Sequence, residues 1–475
     1  MAVIYTNGTK RKMISSVSFW PLVLVAGAFC ATFAQVTLPY EEEVAVTGKE
    51  FGFKTEEISG AENSSDLNGA QVYKVMLRKA EHKALIVQLE DENLVDLWLY
   101  KAGKRDRAEF MVLRENQEHV LDRLFKVGIQ PVIKIPNVLK LVVDSEIPDP
   151  QHVGTGRASY ELNWTGYHRY MVIHDFLDFY AATYPEICSV HTIGKTAQGK
   201  DIKLLKISTS GPGLLISKPA IFIDGGIHAR EWISPATVTF ITKELVENRS
   251  KYSFADKIDF HIAPLINVDG YEYTQTSRRD RMWRKSRSSP GRCTGVDLNR
   301  NFGFQWGQIG SSSKRCSSLY RGPSAFSEPE SRAIRDYILS YPKGYFKGYL
   351  SFHSYSQFIL YPYGFSISAL PTDVEDLKRV AKKAQVAIRN STRTFYTVGS
   401  AARTLYPLSG SSLDWAKAVA EIKYSYMVEL PDKGVHGFLL PPRLIKPTAT
   451  GAMEMVKAMA EEIALMSVVN MESFD

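Results

Sequence analysis

Short apolar segments with strand patterning alternate with amphipathic helical segments from about residue 158 to the C-terminus, and no other feature constrains the fold as strongly. The strand patterns cover residues 203–207, 220–224, 259–266 and 349–352. The helical patterns cover residues 170–184, 232–248, 375–389 and 448–466. Strands that alternate with helices build a sheet that helices cover on both faces. The sequence therefore predicts an α/β domain in this region.

Residues 35–146 are patterned differently from the rest of the chain. Strand patterns lie at residues 72–77, 84–89 and 138–143, and a helical pattern lies at residues 116–126. Short strands with one or two helices predict a small α+β domain. A Pro- and Gly-rich segment, residues 148–157, follows it. Such a segment is an exposed linker of the kind that proteases cut, and Arg157 at its end suits a trypsin-like protease.

The first 34 residues have the layout of a secretory signal. Lys10, Arg11 and Lys12 precede an apolar segment, residues 17–34, that ends in small residues. Charged, apolar and small residues in this order are read by the secretory machinery. A membrane anchor is the alternative, but the apolar segment is marginal for spanning and contains Pro21. We therefore expect a secreted, extracellular protein with no membrane segment.

A histidine and a glutamate three residues apart follow the strand pattern at residues 220–224 and a pair of glycines. His228 and Glu231 can face one point and share a metal ion, although such a pair also occurs by chance on surface turns. Catalytic zinc takes three protein ligands and keeps one open position. His353 is the best third candidate, because it follows a strand pattern and sites form at the carboxyl ends of strands in open α/β sheets. Taken alone, His353 is better explained as a capped, exposed histidine at a strand end.

Six short motifs place these residues in a wider context. They are residues 225–232 (GGIHAREW), 283–285 (WRK), 296–302 (VDLNRNF), 352–357 (FHSYSQ), 361–364 (YPYG) and 428–432 (VELPD). In their order and spacing they resemble the metallocarboxypeptidases of the pancreatic A/B family. The resemblance covers residues 158–475, and residues 35–157 resemble the family's pro-segment more loosely.

The resemblance implies the architecture. We expect a mixed, mostly parallel, twisted sheet flanked by helices, preceded by a small α+β open-sandwich pro-domain. The implied bounds are a signal peptide at residues 1–34, an activation pro-segment with its linker at residues 35–157, and a catalytic domain at residues 158–475. The implied precursor is inactive until a trypsin-like protease cuts near Arg157.

The resemblance also implies the metal site and the catalytic groups. His228, Glu231 and His353 would hold one Zn²⁺, and Asp297 would lie behind His228 to fix its tautomer. Glu429 would be the general base, and Arg284 would stabilise the oxyanion that forms when the scissile carbonyl is attacked. The residues implied in substrate binding are Arg230, Asn299, Arg300, Tyr355, Tyr406 and Leu413.

The position implied as the floor of the side-chain pocket is Leu413. The family's B-type members place an aspartate there to pair with Lys or Arg, and Asp414, the next residue, is an acid in both types. An apolar floor offers no partner to a buried cation, which is costly. We therefore predict an A-type preference for apolar C-terminal residues, with peptides as substrates and a monomeric enzyme. Pro431 and one extra residue between Trp415 and Glu429 depart from the family's pattern without removing a catalytic group.

The cysteines fit an oxidising compartment. Cys30 leaves with the signal, and Cys293 and Cys316 fall where the family has its disulfide. Cys188 remains, and we expect a buried free thiol rather than a nucleophile because no neighbouring residue supplies a base.

Three other functions remain as alternatives. A B-type enzyme would release Lys or Arg, and a catalytically silent homologue would bind peptides without cutting them. A nucleic-acid-binding protein is suggested by residues 278–292, which hold seven basic residues and one acid. The net charge of +7 is mild for 475 residues, and the leader argues against a nuclear destination. We therefore expect no nucleic-acid partner, and apart from Arg284 we expect these basic side chains to be solvated.

Overall fold

The computed structural model describes residues 67–101, 106–146, 162–209, 218–291 and 293–472. The predicted signal segment, residues 1–34, and the predicted linker, residues 148–157, lie outside these ranges. Among the helices that the structure describes, none is long and apolar enough to cross a bilayer.

Residues 67–146 form a four-stranded antiparallel sheet with two helices on one face. The strand order is β2-β3-β1-β4. The elements are β1 (Gln71–Met76), α1 (Ala80–Asp91), β2 (Asp96–Lys101), β3 (Arg107–Val112), α2 (Gln117–Lys126), β4 (Val132–Ile135) and α3 (Val138–Asp144). Side chains of α1 and α2 such as Ile86 and Leu124 share one core with Tyr73 and Phe110 of the sheet. The predicted α+β open sandwich is confirmed.

Two strand predictions in this domain were wrong. Residues 84–89 lie inside helix α1, where the buried residues His82, Ile86, Leu89 and Glu90 recur at helical spacing on one face. Residues 138–143 lie in helix α3, whose first turn is capped by Asn137 accepting from the backbone N–H of Lys140 at 3.4 Å. Short apolar runs fit a strand and a buried helix equally well, so the packing and the cap decide between them.

The larger domain is built on one mixed sheet of eight strands in the order β11-β10-β12-β9-β7-β8-β6-β5. Its strands are β5 (Cys188–Lys195), β6 (Asp201–Ile207), β7 (Ala220–Asp224), β8 (Asp259–Ala263), β9 (Phe346–Ser354), β10 (Phe358–Tyr361), β11 (Thr397–Ser400) and β12 (Tyr424–Leu430). Four of the seven pairings are parallel and three are antiparallel. The predicted strand at residues 259–266 stops at Ala263, because Pro264 cannot donate to the ladder.

Helices cover both faces of this sheet. They are α4 (Tyr170–Thr183), α5 (Ile233–Glu247), α6 (Val268–Tyr273), α7 (Pro329–Leu339), α8 (Val374–Thr392), α9 (Ala401–Thr404), α10 (Ser412–Ala418) and α11 (Ile445–Glu472). Residues of α4, α5, α8 and α11 build the core of one face, and residues of α7 and α10 build that of the other. The four helices predicted for this domain are confirmed, as is the α/β class.

Two of the cysteine predictions are also confirmed. Cys293 and Cys316 form a disulfide with their Cα atoms 4.8 Å apart. Cys188 is free and buried, and burial raises the pKa of its thiol to about 12, so it stays protonated and unreactive near neutral pH.

Candidate active site

Three candidate ligands converge where two neighbouring parallel strands end. β7 pairs with β9, and the chain leaves β7 through a turn that carries His228 and Glu231, while His353 lies near the end of β9. Gly226 opens this turn with a φ of +62°, and a Cβ there would lie 2.6 Å from the side chain of Leu265. Only glycine suits that combination of backbone angle and close approach.

The ligand atoms of these residues face one another. His228 Nδ1 lies 2.7 Å from Glu231 Oε1 and 3.1 Å from His353 Nδ1, which lies 3.2 Å from Glu231 Oε2. All three side chains are buried. Burial opposes ionisation of Glu231, but the charges and hydrogen bonds of the two histidines outweigh it and lower its pKa. Two imidazole nitrogens and a carboxylate within 4.8 Å of one another form a donor set that fits Zn²⁺.

The Nε2 atom of each imidazole also has a hydrogen-bond partner. His228 Nε2 lies 3.2 Å from Asp297 Oδ1, and His353 Nε2 lies 3.0 Å from the hydroxyl of Ser351. Such partners fix the tautomer and the ring orientation of a metal-binding histidine. Arg284 donates to Asp297 Oδ2 at 2.9 Å. Burial opposes ionisation of Asp297, but the charges of Arg284 and Arg300 outweigh it and hold its pKa well below the ordinary range.

Glu429 lies beside His353 because β12 runs parallel to β9 with these two residues in register. Adjacent strands are about 4.8 Å apart, so the pairing places the carboxylate next to the ligand cluster. Glu429 lines the same cavity as His228, Glu231 and Arg284. Burial raises its pKa to about 8, so this carboxyl group can take up and release a proton near neutral pH.

The guanidinium group of Arg300 lines the same cavity. Arg300 donates to the hydroxyl of Tyr406 at 2.7 Å and to the backbone carbonyls of Asn299 and Gly310 at 2.8 and 2.7 Å. Asn299 accepts the backbone N–H of Ser412 at 2.9 Å through its side-chain oxygen. Arg300, Asn299 and Tyr406 all line the cavity, so a carboxylate that enters it meets a fixed planar cation.

Apolar side chains of the catalytic domain also line the cavity. Leu405, Leu408 and Met427 line it, and Leu413 is fully buried in the same apolar cluster without lining the cavity itself. The carboxylate of Asp414 is occupied elsewhere, since it accepts the backbone N–H groups of residues 364 and 365 at 2.8 and 2.9 Å. Burial raises the pKa of Asp414 to about 7.

Known proteins match both parts of the chain. Residues 173–455 match the family model of the zinc carboxypeptidases, and residues 73–145 match that of the carboxypeptidase activation peptide. The chain belongs to the zinc carboxypeptidase family. Carboxypeptidase B of Astacus astacus is 46% identical over 303 residues, which cover 63% of this chain and 97% of that protein. Carboxypeptidase A1 of Bos taurus is 36% identical over 400 residues, 82% of this chain and 93% of that protein.

A solved structure agrees with both the fold and the family. The crystal structure of carboxypeptidase A from Helicoverpa armigera matches with a TM-score of 0.76 and 31% identity, covering 84% of this chain and 98% of that one. The chain is thus a zinc metallocarboxypeptidase, a hydrolase that removes C-terminal residues, and its activation peptide implies proteolytic activation. Because A-type and B-type enzymes both occur among its relatives, family membership leaves the side-chain preference open.

The activation peptide of this zinc carboxypeptidase lies on the cavity. Residues 97–100 of β2 line it, and Arg230 donates to both carboxylate oxygens of Asp96 at 2.7 and 2.8 Å. The ring of Tyr100 packs edge-on against that of Tyr406, with centroids 5.5 Å apart. Arg230 is 1% exposed and is not among the described residues that line the cavity.

A second pro-segment contact covers Tyr355. Its hydroxyl donates to Glu109 of β3 at 2.9 Å, and its ring packs edge-on against Trp98 of β2. Trp98 and Glu109, as well as Asp96 and Tyr100, were not predicted as site residues, because β2 and β3 were not predicted from the sequence. The apolar and aromatic run at residues 97–100 (LWLY) is the signal that would have indicated a strand.

The basic segment at residues 278–292 is less solvated than predicted. Arg281 is 2% exposed and its guanidinium stacks on Trp232, 3.6 Å from the ring centroid. Lys285 is buried and donates to the carbonyl of Arg315 at 2.8 Å, and Arg287 stacks on Tyr273 at 3.5 Å. The expectation of solvated side chains was wrong for these three residues, because aromatic faces and backbone carbonyls replace water around them.

Proposed function

We propose that the chain is a secreted, extracellular zinc carboxypeptidase precursor that, once its pro-segment is removed, releases apolar residues from the C-termini of peptides. The observation that carries the apolar preference is the buried apolar cluster that contains Leu413 together with Leu405, Leu408 and Met427, the last three of which line the cavity. A lysine or arginine side chain that entered this cluster would lose its hydration without gaining a counter-charge. Residues 1–34 are proposed as the signal peptide.

We propose distinct roles for the residues of the cavity. His228, Glu231 and His353 hold Zn²⁺, which when bound acidifies water and polarises the scissile carbonyl. Arg300, with Asn299 and Tyr406, binds the terminal carboxylate of the substrate, and this contact restricts cleavage to the last peptide bond. Arg230, a further positive group, and Tyr355 bind the substrate farther from its terminal carboxylate.

In this proposal, two further side chains assist the hydrolysis of the peptide bond. Glu429 takes the proton of the attacking water and later delivers it to the leaving amine, a double role that its raised pKa supports. Arg284 lines the same cavity and stabilises the negative charge that develops on the carbonyl oxygen. Asp297 orients both His228 and Arg284, to which it is hydrogen-bonded.

The pro-segment, residues 35–157, is proposed to keep the precursor inactive. Its strand β2 fills the entrance that a peptide would use, and Asp96 neutralises Arg230. We propose that a trypsin-like protease cuts near Arg157, that residues 158–475 form the active enzyme, and that this enzyme is a monomer. Full peptide hydrolysis by the uncut chain would contradict this part of the proposal.

The proposal is tested by comparing three peptides that differ only in their last residue. After limited trypsin cleavage, we expect kcat/KM for peptides ending in Phe or Leu to exceed that for a peptide ending in Lys by about 100-fold or more, because a buried unpaired cation costs several kcal/mol. Preferred release of Lys would reject Leu413 as the selecting residue. It would favour the second candidate, B-type specificity, which the 46% identity to a carboxypeptidase B supports.

The support of His228 by Asp297 gives a separate prediction. Replacing Asp297 by Asn is expected to weaken zinc binding by about 10- to 100-fold, because the imidazole loses the charged acceptor that fixes its tautomer and raises its basicity. Competition with a chelator measures the affinity. Asp269→Asn is the matched control, since that buried carboxylate bonds to Thr196 and Gln198 instead. Equal zinc affinity of the wild-type and Asp297→Asn proteins would contradict the assignment.

A further inference from the structure

A buried carboxylate reaches the candidate ligand His353 through a single hydroxyl group. Asp224 is the last residue of β7, and it is paired with Ser351 in the parallel register of β7 and β9. The hydroxyl of Ser351 donates to Oδ1 of Asp224 at 2.7 Å and lies 3.0 Å from Nε2 of His353. Side chains two residues apart on a strand point to the same face, which allows Ser351 and His353 to meet. A chain of hydrogen bonds therefore links the carboxylate to the imidazole.

The surroundings of Asp224 explain little of its position except through His353. Asp224 and Ser351 are both fully buried. Burial raises the pKa of Asp224 to about 6, while hydrogen bonds and the charge of His353 limit the rise. Within the described ranges, no lysine or arginine contributes to keeping this carboxyl group ionised. Because a buried carboxylate without a basic partner is costly, the imidazole beyond Ser351 is the group that this carboxylate serves.

The single proton of the Ser351 hydroxyl decides the direction of both hydrogen bonds. An ionised carboxylate can only accept, so the hydroxyl donates to Asp224 and its oxygen is left to accept from Nε2 of His353. The proton of the neutral imidazole then lies on Nε2, and Nδ1 keeps its lone pair. Nδ1 is the atom that lies 3.1 Å from His228 Nδ1 and 3.2 Å from Glu231 Oε2. The chain of hydrogen bonds thus turns the lone pair of His353 towards the other candidate ligands.

We propose that Asp224 is a positioning residue that acts through Ser351 to hold His353 in the tautomer that binds Zn²⁺. The inference rests on the proposed function only in taking His353 as a ligand. Without the carboxylate, the hydroxyl of Ser351 has no acceptor on that side and can turn to donate to Nε2 of His353. The imidazole proton then moves to Nδ1, where it occupies the lone pair that the metal needs.

The first test measures zinc affinity of the full uncut chain by competition with a chelator, so it requires no hydrolysis. We expect Asp224→Ala and Ser351→Ala each to weaken zinc binding by about 10-fold or more. The double variant should bind no more weakly than the weaker single variant, because each change breaks the same chain of hydrogen bonds. Asp259→Ala is the matched control and should leave the affinity unchanged. It removes a buried carboxylate at the start of β8 that accepts from the hydroxyl of Tyr345 at 2.9 Å.

The second test reads the tautomer directly and needs no variant that could fail to fold. The side-chain nitrogen chemical shifts of His353 are measured in the zinc-free wild-type chain at alkaline pH, where the imidazole is neutral. We expect the proton on Nε2, and a larger share of the Nδ1-protonated form in Asp224→Ala. A wild-type proton on Nδ1, unchanged zinc affinity in both single variants, additive effects, or equal weakening by Asp259→Ala would each overturn the proposal.

The variant His353→Ala separates this inference from the proposed function. It should lose zinc affinity more severely than Asp224→Ala, because it removes a ligand and not its support. If His353→Ala bound zinc as tightly as the wild-type chain, the proposed ligand set would be wrong. A proton on Nδ1 of wild-type His353 would instead contradict only the role of Asp224.

Discussion

Replacing Glu429 by Gln is expected to lower kcat for C-terminal hydrolysis by about 10³-fold, within the range found when a general base is removed. The amide keeps the size of the side chain but cannot take the proton of the attacking water. Zinc content should not change, because Glu429 is not one of the three converging ligands. Single-turnover hydrolysis and metal analysis of the activated protein measure the two quantities.

Two matched variants make the Glu429 result specific. Glu231→Gln alters a proposed ligand and should lose zinc together with activity. Glu421→Gln removes an exposed carboxylate that pairs with Lys343, and it should change neither. If Glu429→Gln retained a tenth or more of the wild-type kcat, Glu429 would not be the proton acceptor.

Replacing Leu413 by Asp is expected to reverse the substrate preference. An aspartate at this position supplies the counter-charge that a lysine or arginine side chain lacks in the wild-type protein, and it disfavours apolar side chains because their entry would strip water from the carboxylate. We expect the ratio of kcat/KM for Lys-ending to Phe-ending peptides to rise by about 10³-fold or more, since one such charge pairing is worth several kcal/mol. Both kcat/KM values are measured on the same enzyme sample, so their ratio does not depend on the fraction of the variant that is folded.

Leu413→Asn is the matched control for this reversal. Asn has nearly the shape and polarity of Asp but carries no charge, so it should lower cleavage of Phe-ending peptides without raising cleavage of Lys-ending ones. Thermal unfolding of both variants shows whether the fold tolerates a polar side chain at a fully buried position. An equal rise in Lys release for Asn and Asp would show that size, and not charge, selects the substrate at residue 413.

The sequence was informative about long periodic segments and about residues at strand ends. The helices α5, α8 and α11 were predicted because their apolar residues recur over many turns. The proposed ligands were found because His228 and His353 follow apolar strands, and neighbouring parallel strands bring such ends together. The structure places these side chains within reach of one another.

Contacts between the two domains could not be read from the sequence. Asp96 and Arg230 are 134 residues apart in the chain, and nothing local to either residue indicates the other. Arg281 was expected in solvent because arginine is seldom fully buried, and only the tertiary structure places Trp232 beneath it. The helix at α3 was missed for a similar reason, since its valines belong to a buried cluster that draws residues from both domains.

Strand β2 lies at an outer edge of the small sheet, and its side chains Trp98 and Leu99 belong to a buried cluster that includes residues of the catalytic domain. Trp98 packs against Phe438 with ring centroids 5.2 Å apart, and Trp98 and Leu99 belong to the same buried cluster as Tyr355. When the cleaved fragment diffuses away, this edge meets water with its backbone groups unpaired, which is a template for aggregation. We therefore expect the free fragment to be less soluble than the uncut chain.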